Sequence, residues 1–166
     1  MNLVASLLVL TLAGSLMAQS PVKETLAYSR ETTRGIPGPS SASASQNPIK
    51  VDYYIYIVVE KGMAVSASTA CVRGKSYSVR LQKVETPVRV EHDAAVPTGM
   101  KDTLVKASSD DVYQVVLESP QNLDCPETGS PKHDGTHQVV VPVKSGESTW
   151  YSLTDKIVPL RPAAGS

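Results

Sequence analysis

The stretch IKVDYYIYIVVE, residues 49–60, decides the fold. Read with a period of two, it sets Val51, Tyr53, Ile55, Ile57 and Val59 on one face and Asp52, Tyr54, Tyr56, Val58 and Glu60 on the other. Isoleucine, valine and tyrosine suit a pleated, half-buried surface, so this is a strand. The second face is also partly apolar, which suits a central strand covered on both sides or an edge-free position in a sandwich.

Working outward, shorter alternating runs follow at 64–73, 75–84, 86–92, 102–107, 112–118, 137–144, 149–153 and 156–160. Turn chemistry separates them: Arg73-Gly74-Lys75 reads as a tight hairpin, and Pro97-Thr98-Gly99 and Ser145-Gly146-Glu147 read as loops. No window long enough for a helix carries an apolar stripe free of Pro or Gly, so the expected class is all-β. The spacing of strands and turns predicts an antiparallel sandwich of about seven to nine strands with immunoglobulin-like architecture. Trp150 follows both cysteines, so the Cys…Trp…Cys order of antibody domains is absent and the likeness is architectural only. The strands are too short, and too often interrupted by proline, for a membrane barrel.

The ends of the chain suggest export. Leu3 to Met17 is apolar and uncharged and closes on Ala18, so residues 1–18 read as a cleavable signal peptide that leaves Gln19 first. Ser15 stands where a lipobox requires cysteine, which argues against a lipid anchor there. Residues 19–48 are rich in Ser, Thr, Ala, Pro and Gly and read as a disordered tether. The domain is then expected over 49–160, with a flexible tail over 161–166 and no membrane-spanning helix after cleavage. Together the Ala18-Gln19 junction, the VDYYIYIVVE strand and the segment RGKSYSVRLQKVETPV resemble small exported β proteins of unknown function from Bacteroidota-type bacteria. That resemblance implies a compartment and a fold, and no activity.

Composition narrows the partners. Sixteen basic and sixteen acidic side chains balance, and neither sign gathers into a block, so nucleic acid and anionic lipid are not expected. The core must be built without phenylalanine and with a single tryptophan. Cys71 and Cys125, the only cysteines, are expected to form a disulfide in an exported protein.

Motifs that suggest chemistry are sparse. Gly74-Lys75-Ser76 lacks the upstream glycine of a phosphate loop, because Thr69 stands there, and reads as a hairpin turn. His133-Asp134-Gly135-Thr136-His137, with His92 elsewhere, is the most metal-like set. In an extended strand His133 and His137 would stand ~13 Å apart, so only a turn at Gly135 brings them together. No GxSxG elbow accompanies the serines, and Asp110-Asp111 reads as part of a turn. Asp102-Thr103-Leu104 matches a short acceptor pattern for O-glycosylation at Thr103 in Bacteroidota.

The functional expectation is an exported, periplasmic or extracellular, non-enzymatic module that binds a cell-envelope protein or glycan and needs no cofactor. A metal-binding or metal-dependent protein using His92, His133 and His137 is one alternative. The other is an adhesin or surface-assembly subunit using strand edges and Tyr53, Tyr54, Tyr56 and Tyr77 as contact area.

Overall fold

The computed structural model describes residues 20–33, 50–91, 101–125 and 137–164. The expected signal peptide, the tether beyond residue 33, His92, His133 and the last two residues lie outside the described residues. The fold is all-β, with eleven strands among the described residues: β1 (Val22–Thr33), β2 (Lys50–Val59), β3 (Thr69–Val72), β4 (Lys75–Val84), β5 (Val88–Glu91), β6 (Lys101–Val105), β7 (Asp111–Gln121), β8 (Val139–Ser145), β9 (Ser148–Thr154), β10 (Val158–Pro159) and β11 (Ala163–Ala164).

Strand β2 is central, as its two-sided apolar pattern requires. It pairs antiparallel with β1 from Lys50–Thr32 to Val59–Val22, and on its other edge with β7 from Ile55–Val115 to Val59–Asp111. From there the ladder runs on through β4, β3, β8 and β9, giving the order β10-β1-β2-β7-β4-β3-β8-β9. All these pairings are antiparallel except those of β10 and β11, which lie parallel to β1. The β3–β4 turn places Arg73 at φ 49° and Gly74 at φ 75°, the left-handed pair that a two-residue hairpin matched to strand twist requires.

One curled sheet therefore stands in place of the two separate sheets of the expected sandwich. The ends of its path approach each other: the Thr25 hydroxyl on β1 and the Ser152 hydroxyl on β9 share a hydrogen bond. Ile55, Ile57 and Val59 meet Val72, Val115, Val139, Val141 and Val143 on the concave side. β-Branched residues fill this interior because their stiff rotamers pack closely on a curved, pleated surface.

The opposite face of β2 is covered locally. The β5–β6 hairpin lays Leu104 and Val105 on Tyr56, Val58 and Val112, with Leu26, Tyr28, Tyr54 and Leu160 at the margin. Among the described residues, the architecture is layered like a sandwich only where this hairpin sits. The Cys71–Cys125 disulfide ties the segment after β7 to β3, with Cα atoms 5.5 Å apart. Such a bond is the mark of an oxidising environment.

Three expectations need correction. The ordered chain begins at β1, not at Ile49, so Val22–Thr33 is a full strand and not tether. Its concave-facing positions Thr25, Ala27 and Ser29 are small or polar, which hid the apolar alternation. The tail is likewise not free: the Leu160 amide donates to the Ser29 carbonyl, and Ala163–Ala164 pairs with Thr32–Thr33. These pairings shield part of the outer edge of β1, which would otherwise invite association. The predicted strand over 64–73 shrinks to β3, preceded by a single bridge from Ser66 to Lys144.

Candidate functional site

A cleft of about 700 Å³ lies between β1 and the chain leaving β6. Strand alternation sets Leu26 and Tyr28 on the hairpin side of β1, and Val58 on the same side of β2. The opposing wall is Thr103 to Ser108. Leu104 is 3% exposed and anchors this wall in the outer cluster. The Tyr28 hydroxyl donates to the Leu104 carbonyl at 2.6 Å, which fixes the hairpin against β1.

The mouth of the cleft is polar. Lys23 Nζ lies 2.8 Å from Asp110 Oδ1, bridging β1 to the start of β7. The turn below is braced by the Asp110 amide donating to Ser108 Oγ and the Ser108 amide donating to Thr86 Oγ1, both at 3.0 Å. The Asp110 carboxylate raises the Lys23 ammonium above its ordinary range through that hydrogen bond. Burial, then the nearby Glu24 charge, pushes the Tyr28 phenol up, so it stays a neutral donor at physiological pH. Lys23 and Lys106 balance Glu24 and Asp110, leaving the lining without net charge. An apolar floor with a few convergent polar groups is the ordinary composition of a small-molecule site. Among the described residues, no histidine or cysteine lines this cleft.

The residues singled out from the sequence are scattered. Cys71 and Cys125 are joined. His137 stands half-buried just before β8, while His92 and His133 lie outside the described residues. Among the described residues, no three His, Cys, Asp or Glu side chains converge to hold a metal ion. Thr103 is exposed on β6 at the cleft wall. Asp110 and Asp111 pair with different lysines: Asp111 meets Lys83 at 2.8 Å and accepts the Gly62 amide at 3.2 Å. Of the four tyrosines, Tyr56 is buried under the hairpin, whereas Tyr53, Tyr54 and Tyr77 border a second recess described below.

Sequence reasoning missed Lys23, Leu26 and Tyr28. The one available signal was Leu26-Ala27-Tyr28, two large apolar residues at strand spacing inside a polar segment. Comparison with family models, curated proteins and solved structures finds no match for this chain.

Proposed function

We propose that this protein is an exported, non-catalytic binding domain of the cell envelope, and that the cleft beneath the β5–β6 hairpin takes a small, neutral or zwitterionic amphiphile. The observation that carries the reading is the cleft itself: Leu26 and Val58 form an apolar floor under a charge-balanced mouth held by Lys23 and Asp110. An ion pair at the mouth offers one partner to each end of a zwitterion, and Tyr28 fixes the wall the ligand would touch. Export is supported by the apolar leader over 1–18 and by the disulfide.

The test is a ligand-observed NMR screen of neutral and zwitterionic amphiphiles against the disulfide-intact protein, repeated on Leu26→Trp, which fills the floor. Compounds that bind the native protein and lose binding to Leu26→Trp support the reading. An absence of such compounds, or equal binding to both proteins, sinks it.

A further inference from the structure

The β2–β7 ladder stops at Ile55–Val115 although both strands continue. Beyond that point Lys50 to Tyr54 stay with β1, while Val116 to Gln121 follow β4. A register shift between Tyr77 and Val79, secured by a hydrogen bond between the Ser78 and Ser119 hydroxyls at 2.9 Å, leads β7 away from β2. The strands part around an opening of about 500 Å³.

The walls of this opening are main-chain edges. The Glu60 amide donates to the Pro21 carbonyl, so even-numbered residues of β2 direct their amides and carbonyls toward β1. By alternation, Val51 and Tyr53 direct theirs into the opening. The odd-numbered residues of β7 face β2 in the ladder, which sets Leu117 on the opposite wall. Tyrosine rings frame the space. The Arg73 guanidinium lies 5.9 Å from the Tyr53 ring centroid, and Arg30 lies 5.9 Å from that of Tyr54. Arg30 is only 6% exposed, its Nε and Nη2 have no hydrogen-bond partner among the described residues, and its guanidinium lies over the Tyr54 ring. The Lys50–Asp52 pair at 2.9 Å and the Arg80–Glu118 pair at 3.3 Å cancel within the rim, beside Arg30 and Arg73 on the tyrosine rings.

We infer that this seam is an acceptor slot for an extended, uncharged peptide segment of another protein. A strand placed there would bond to Val51 and Tyr53 on one side and Leu117 on the other, antiparallel to one wall and parallel to the other. At about 3.3 Å per residue, the five positions Lys50 to Tyr54, paired with β1 on one edge and beyond the β7 ladder on the other, match roughly five residues of guest. Inward guest side chains would meet Tyr77 and Leu117, which favours apolar residues. A glycan would use the tyrosine faces but would leave the main-chain edges unanswered. The inference does not depend on the cleft.

The probe is acetyl-Thr-Val-Thr-Val-Thr-amide, titrated into ¹⁵N-labelled, disulfide-intact protein. The expected result is saturable shifts and slowed exchange at the Val51, Tyr53 and Leu117 amides. Val51→Pro removes one slot-facing donor and leaves the β1 ladder intact, so it is expected to fold and to bind the peptide about fivefold more weakly. Three results would overturn the inference: no saturable effect at those amides, equal peptide binding by a folded Val51→Pro, or cellopentaose shifting the tyrosine rings while the peptide protects no amide. The native-protein readout decides the matter even if Val51→Pro fails to fold.

Discussion

Reducing the disulfide is expected to destabilise the domain by about 4 kcal/mol. Cys71 and Cys125 are 54 residues apart, and closing a loop of that length removes roughly 14 cal/mol/K of chain entropy from the unfolded state, or about 4 kcal/mol at 298 K. Cys71 is 6% exposed, so replacing both cysteines by alanine adds a small packing loss while avoiding a buried unpaired hydroxyl. The assay is equilibrium urea unfolding of oxidised protein, reduced protein and the double alanine variant. With a urea slope of about 2 kcal/mol/M, the midpoint should fall by about 2 M. The slope itself should rise, because the released unfolded chain exposes more surface. A destabilisation below about 1 kcal/mol would refute the reasoning, since loop closure would then contribute little to the fold.

Three further outcomes follow from the packing and the ion pairs. Ile57→Ala, at a position with no exposure, should lower stability by about 2–5 kcal/mol in thermal or urea unfolding, and a loss below 1 kcal/mol would contradict the concave core. Tyr28→Phe should cost about 1 kcal/mol and speed amide exchange in the β5–β6 hairpin while leaving β3 and β8 unchanged; uniform acceleration would show that the hairpin is not separately anchored. The Asp111 carboxyl is held below its ordinary value of 3.8, first by the Lys83 hydrogen bond and then by the Gly62 amide. Its contribution is present above the unfolded value and lost as pH falls through the folded one. Asp111→Asn should therefore flatten the acid limb of stability below about pH 4 and, because the same carboxylate raises the Lys83 ammonium, also the alkaline limb above the ordinary lysine value; an unchanged acid limb would refute that assignment.

The parts of the fold legible in the sequence are those fixed by local alternation. Both faces of β2 followed from its residues, because each is apolar enough to demand cover. The Arg73-Gly74 turn followed because a two-residue hairpin needs left-handed backbone there. Strand β1 did not, since Thr25, which meets Ser152 of β9, and the buried Ala27 and Ser29 are all small and carry no apolar alternation. Residues 64–68 erred the other way: Val65 and Ala67 pack on the core, yet the stretch pairs only through the Ser66–Lys144 bridge and a single bond from the Val79 amide to the Ser68 carbonyl.

Alternation also says which face a residue takes without saying which strand lies beside it. A single curled sheet and a sandwich therefore look alike until non-local partners such as Lys83 and Tyr113 are known. The cleft was harder still. Leu104 and Val105 are consecutive and both buried, because the register shifts at Val88/Arg89 and breaks the period of two. Lys23 and Asp110 are 87 residues apart and meet only once β1 is recognised as a strand.

The most direct test of the binding reading is methyl and amide shift mapping of the strongest amphiphile from the screen on the disulfide-intact protein. The account expects one contiguous patch spanning Leu26, Tyr28, Val58 and Thr103 to Val105, reduced when Lys23→Ala opens the mouth. Perturbations centred elsewhere, with Leu26 and Val58 unmoved at saturation, would contradict it.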